Sequence, residues 1–215
     1  MMSEQEAVEP SSVEERLKVY GLKERKGLAD LSVADGENIR ISVRDPGRYR
    51  PNAYSVKVKS VEHLKQMIGT PDEVIRTQGV CCPPEGLTET LPATFRELSD
   101  LSSSQRETLR RASDVFLYGL SSTVEAHRPA INKAVSLSAA AIIGIITFND
   151  ITVQRNGVLT VDPSVSVLFA NKVRVELGGR IRVLGPLKID ASSIEGDELP
   201  FLQVATTVQQ VRRTP

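Results

Sequence analysis

Residues 151–194 read as one 22-residue unit written twice: ITVQRNGVLTVDPSVSVLFANK over 151–172, then VRVELGGRIRVLGPLKIDASSI over 173–194. Adding 22 to each position sets Ile151, Val153, Gly157, Leu159, Val161, Val165 and Val167 against Val173, Val175, Gly179, Ile181, Val183, Leu187 and Ile189. The aliphatic columns and the turn glycine recur in phase. Within each copy apolar and polar residues alternate in three short runs, near 151–153, 159–161 and 165–169. That two-residue period belongs to strands with one buried face. Three short strands per unit predict a parallel β-solenoid (parallel β-helix) of about three 22-residue coils.

The repeat also runs backwards. Subtracting 22 places Ile131, Leu137, Ala139, Ile143 and Ile145 on the columns of Val153, Leu159, Val161, Val165 and Val167, so a more apolar first coil is expected from residue 129. Forward, Glu195–Pro215 keeps the pattern poorly and reads as a closing segment, interrupted by Gly196, Asp197 and Pro200. A meander of antiparallel hairpins would also give matches at even offsets, and Asn156-Gly157 is a hairpin signal. The in-phase glycines favour the stack.

With its Ile/Val/Leu columns, this coil resembles the right-handed parallel β-helix of pectate-lyase-like proteins, over at most residues 129–194. The resemblance covers architecture alone. Such enzymes carry Asp, Arg or Lys clusters on an outward sheet face. Here Arg174, Arg182 and Lys188 stand where the preceding coil has Thr152, Thr160 and Ser166, and no acidic cluster stacks beside them. No catalytic residue carries over.

The fold class expected is α+β. Residues 1–11 are acidic and polar, and are expected to be a disordered tail. A small α+β region follows over 12–80. It opens with a helix to Tyr20, begun by the capping-box pattern Ser12–Glu15 and stopped by Gly21. Alternation over 38–43 and 53–59, around the turn residues Asp45-Pro46-Gly47, predicts two strands of a small sheet. The charges of Arg40, Arg44, Arg48, Arg50, Lys57 and Lys59 are then its solvated side. Ser60 caps a helix to Ile68, and Thr70-Pro71-Asp72-Glu73 starts another that ends near Gly79.

Prolines, Gly86 and the vicinal pair Cys81-Cys82 mark a linker over 81–93. A disulfide between adjacent cysteines closes a strained ring, so the pair reads as two reduced thiols. Two thiols without a neighbouring His make no zinc site. Residues 94–128 are the expected helical cap. Within them Thr94–Glu97 and Ser104–Glu107 have the capping-box form, and the second opens an amphipathic helix with Leu109, Ala112, Val115, Phe116 and Leu117 on one face. A solenoid exposes apolar interior at its ends, and this helix is placed to cover one. The solenoid and its closing segment take 129–215.

Function is less legible. Lys+Arg and Asp+Glu are balanced at 27 each, which gives no global basic field for nucleic acid, and 4% aromatic residues supply few stacking platforms. The opening residues lack a basic stretch followed by an apolar one, which argues against a secretory signal and for the cytoplasm. The longest apolar run, 139–146, is too short for a membrane span.

His63 and His127 sit in no motif, and Asp162 and Asp190 fall on different columns, so an enzyme is disfavoured. No metal and no cofactor is expected. Lys172, Arg174, Arg180, Arg182 and Lys188 are the candidate binding residues, as a basic face for a polyanion or an acidic partner. The primary expectation is a non-catalytic structural or assembly subunit whose solenoid ends or faces bind a second copy or another protein. The polyanion-binding module is the alternative, and a carbohydrate-active β-helix enzyme is the second.

Overall fold

The computed structural model describes residues 13–22, 28–78, 87, 89–137, 142–197, 202–204 and 208–210. The expected disordered tail, Cys81 and Cys82 lie outside them. The chain divides into two compact units, one of residues 1–56 with 143–215 and one of 57–142. This division falls neither at the 81–93 linker nor at 128/129.

The first unit opens with α1 (Val13–Val19), followed by β1 (Leu31–Val33), β2 (Asn38–Ile41) and β3 (Ala53–Lys57). After the second unit come β4 (Ile142–Thr147), β5 (Asp150–Val153), β6 (Val158–Val161), β7 (Val167–Val175), β8 (Arg180–Val183), β9 (Leu187–Gly196), β10 (Leu202–Val204) and β11 (Val208–Gln210). They build two sheets. One has seven strands along the path β1-β5-β7-β4-β3, with β9 joined to β7 and β11 to β9. The other has four, in the order β10-β8-β6-β2.

The 22-residue spacing survives as register. Ile151 and Val153 are partners of Val173 and Val175, and Leu159 and Val161 are partners of Ile181 and Val183, all in parallel pairing. Past β8 the spacing drops by one. Between β7 and β9 the register offset is 21, so Val167 pairs with Lys188 and Leu168 with Ile189, instead of Val167 with Ile189. Leu168, Ala170, Ile189 and Ala191 join the common core with Leu159, Val173 and Ile181. Phe169, fully buried, lies outside that core cluster.

The pectate-lyase-like β-helix expectation is overturned. The seven-stranded sheet is curled and mixed, not a succession of three parallel coils over 129–215. Three placements account for this. Arg128–Leu137 is a helix, so Ile131 and Leu137 occupy no strand column. The layer beside β5 and β6 comes instead from far upstream: Leu31 and Val33 pair with Ile151 and Val153, and Ile39 and Ile41 with Leu159 and Val161. Finally, β2 and β3 are not a hairpin, because they belong to different sheets.

Three turns stack where β1, β5 and β7 hand over to β2, β6 and β8. Gly36, Asn156 and Gly178 take positive φ at +68°, +54° and +74°. Asn tolerates this region better than other non-glycine residues. Asn156-Gly157 therefore joins β5 to β6, strands of different sheets, and not two arms of a hairpin.

The second unit carries α2 (Val61–Ile68), α3 (Asp72–Gln78), α4 (Ser103–Tyr118) and α5 (Arg128–Leu137). The Ser60 hydroxyl caps α2 by accepting from the His63 backbone. The capping box of α4 is Ser102 with Gln105, two residues before the expected one, and Thr94–Glu97 opens no α-helix. The apolar face of α4 is used inside its own unit, where Leu109, Ala112 and Phe116 pack with Val61, Phe95, Ala130 and Ile131. Its partners explain why the amphipathic pattern need not mean a cap.

Candidate interaction surfaces

The five basic residues do not share a face. Lys172 and Arg174 lie on β7 and Lys188 on β9, in the seven-stranded sheet, whereas Arg180 and Arg182 lie on β8 in the four-stranded sheet. The shared 22-residue unit bends between β7 and β8, and the two halves of the set go to different sheets.

On the seven-stranded sheet two of the three cations are engaged. Lys172 Nζ is 2.8 Å from Glu195 Oε1. The Lys188 ammonium stands 5.7 Å from the Tyr20 ring centroid, a cation–π distance. Arg174 is exposed, between Thr152 and Glu195 in register.

The same sheet carries a contact that the sequence did not announce. Helix α1 lays Arg16 over Phe169, with the guanidinium 4.5 Å from the ring centroid. Arg16 Nε donates to Asp190 Oδ1 at 2.9 Å, Nη2 donates to the carbonyls of Ala170 at 2.8 Å and Asp190 at 2.6 Å, and Nη1 donates to Ser192 Oγ. The Tyr20 hydroxyl donates to Asp190 Oδ2 at 2.5 Å. Asp190 is thus fully occupied in fastening a helix to a strand pair.

The four-stranded sheet has a polar outer face. Burial alternates along β2, β6 and β8, with Ile39, Ile41, Leu159, Val161, Ile181 and Val183 inside. Asn38 and Arg40 on β2, Val158 and Thr160 on β6, and Arg180 and Arg182 on β8 form the outer rows, with Arg40, Thr160 and Arg182 consecutive in one of them. The Arg40 guanidinium donates to Asp162 Oδ2, and the Ser164 backbone N–H donates to Asp162 Oδ1 at 2.9 Å. Burial pushes the Asp162 carboxyl up, but the hydrogen bonds from Arg40 and Ser164 outweigh it and hold the pKa at about 2. Arg180 and Arg182 are exposed and make no ion pair or side-chain hydrogen bond among the described residues.

Asp162 and Asp190, the two aspartates of the repeat region, are therefore apart, one just past β6 and the other on β9, and both are held by arginines. His63 Nδ1 accepts from the Lys59 backbone, and buried His127 has an Nδ1 without a partner among the described residues. No group of three or more His, Cys, Asp or Glu among the described residues could hold a metal ion, and no described helix is long and apolar enough to cross a membrane.

Arg40 was assigned to the solvated side of a separate small sheet because it lies outside the contiguous repeat. The signal was nonetheless present: Leu31, Val33, Ile39 and Ile41 have the spacing of Ile151, Val153, Leu159 and Val161, at an offset of 120. Neither family models nor curated proteins nor solved structures match this chain.

Proposed function

We propose that the protein is a non-catalytic assembly subunit that binds a second copy of itself by strand addition at the β1–β2 layer. One observation supports this reading above the others. Among the described residues, β1 and β2 pair on one side only. The carbonyls of Val33, Glu37 and Ile41 accept from Gln154, Val158 and Asp162, so the backbone groups of Ser32, Asn38 and Arg40 alternate to the outer side. Such groups are a template for another strand.

The occupant follows from register. The β1–β2 layer repeats the alternation of β5–β6, and β5–β6 already receives β7–β8 of this chain in parallel. A second copy therefore offers strands of matching length and pattern. With only 3 and 4 residues in β1 and β2, both strands have to engage together.

Sedimentation across a concentration series, at low and high salt, tests the reading. A defined oligomer that persists at high salt is expected. Asn38→Pro removes an outward N–H without touching the inner ladder, and is expected to dissociate the oligomer while the far-ultraviolet circular dichroism stays the same. A monomer at every concentration, or an oligomer indifferent to Asn38→Pro together with Ser32→Pro, would overturn it.

A further inference from the structure

We propose that the outer face of the four-stranded sheet is a docking surface for the acidic N-terminal segment of this same chain, residues 1–12. The proposal stands apart from strand addition, since it uses the face of the sheet and not its edge.

The face is cationic and open. Arg180 and Arg182 occupy alternate positions of β8, both exposed and neither paired among the described residues. The rows between β8 and Arg40 hold the neutral Val158 and Thr160. Among the described residues, Asp162 is taken by Arg40 and Ser164, and Glu37 Oε2 accepts from the Ala34 backbone at 2.8 Å. The outer side of the seven-stranded sheet differs, because α1 is fastened to it through Arg16.

The ligand chemistry is set by spacing. Alternate residues of a strand lie about 6.4–6.8 Å apart on one side, so Arg180 and Arg182 present two guanidinium groups at that pitch. An extended polypeptide with carboxylates at alternate positions presents the same pitch, and each guanidinium can take a carboxylate with two parallel hydrogen bonds. Residues 1–12 have this pattern. They read MMSEQEAVEPSS, with Glu4 and Glu6 at alternate positions, Glu9 beyond and no Lys or Arg. Two arginines with neither a partner nor an aromatic neighbour on the face among the described residues suit a short acidic peptide better than a nucleic acid, whose binding draws on many phosphate contacts or on stacking.

The test uses the full chain and a fluorescein-labelled peptide of residues 1–12, followed by anisotropy at about 25 mM and about 300 mM salt. A chain with Glu4→Gln and Glu6→Gln leaves the face free of its own segment. Saturable binding of the peptide to that chain is expected, tighter than to the unsubstituted chain. Adding Arg180→Gln and Arg182→Gln is expected to weaken it about tenfold, as is placing Gln at positions 4 and 6 of the peptide or raising the salt. Absence of binding to the Glu4→Gln/Glu6→Gln chain, or binding indifferent to the two arginines, overturns the proposal. So does displacement of the peptide by inorganic phosphate or a short DNA duplex at lower concentration than by unlabelled peptide.

Discussion

Arg16 and Asp190 form a buried ion pair across 174 residues of sequence, with Arg16 Nε 2.9 Å from Asp190 Oδ1 and the arginine side chain only 3% exposed. Four hydrogen bonds and the Phe169 ring surround that guanidinium. Removing one partner of such a pair leaves the other charge desolvated, at a cost of roughly 3–5 kcal/mol. Arg16→Leu is expected to lower unfolding stability on that scale, while Tyr20→Phe, which removes one hydrogen bond to a charged acceptor, costs about 1.5–3 kcal/mol. Urea unfolding of the two variants checks the order. Equal costs would contradict the larger share given to the Arg16–Asp190 pair.

The second buried cation sits in the helical unit. Lys65 Nζ donates to Asp72 Oδ1 at 2.5 Å and to the carbonyls of Phe116 at 2.7 Å and Gly119 at 2.8 Å, which uses all three ammonium hydrogens. Asp72 also accepts from the backbone and hydroxyl of Ser121. Lys65→Met strips the partners of the α4 C-terminal carbonyls and of Asp72 at once, and is expected to cost about 3–5 kcal/mol. Asp72→Asn is expected to cost less, because the amide oxygen still accepts. Chemical denaturation of both separates these outcomes.

Acid stability follows from two carboxyls with depressed pKa values. Burial raises that of Asp72, but hydrogen bonds from Lys65 and Ser121 lower it further below the ordinary value. Asp162 is held at about 2 against 3.8. A carboxyl with a lowered folded pKa adds stability that is fully present above its unfolded value and is lost as the pH falls through the folded value. Both contributions are therefore complete above about pH 5, and that of Asp162 fades between about 4 and about 2. Arg40→Gln is expected to move the Asp162 titration upward, because it removes the larger of the hydrogen bonds that oppose the effect of burial. Carboxyl NMR titration reads the shift, and an unmoved Asp162 would falsify the role given to Arg40.

Two glycines separate steric from conformational demands. A Cβ at Gly144 would lie 1.9 Å from the Ser164 carbonyl oxygen, an overlap that the backbone has to absorb. At Gly36 a Cβ meets nothing within 4 Å, and only the φ of +68° opposes a side chain. Gly36→Ala is expected to cost about 1–2 kcal/mol, and Gly144→Ala to cost more than about 3 kcal/mol or to prevent folding. Asn156→Gly, at a φ of +54°, is expected to be near neutral. Thermal unfolding ranks the three, and a Gly36→Ala loss matching Gly144→Ala would contradict the ranking.

What the sequence determined by itself was local. Period-two alternation, in-phase turn glycines and the 22-residue offset specify which residues pair between β5 and β7 and between β6 and β8, because side chains on a pleated strand alternate by geometry. Ser60 and Gly69 bound α2, since cap chemistry acts within a few residues. Tertiary structure decided the rest. Residues 31–41 rather than 131–146 flank β5 and β6, and no local rule chooses between two apolar segments that could present a matching edge. On β7 Leu168 and Ala170, not Phe169, face the common core, which leaves Phe169 in register with Asp190 where Arg16 meets both. The five basic residues parted for the same reason: Lys172, Arg174 and Lys188 went to one sheet, Arg180 and Arg182 to the other, since linear spacing records distance along the chain and not the bend between two sheets.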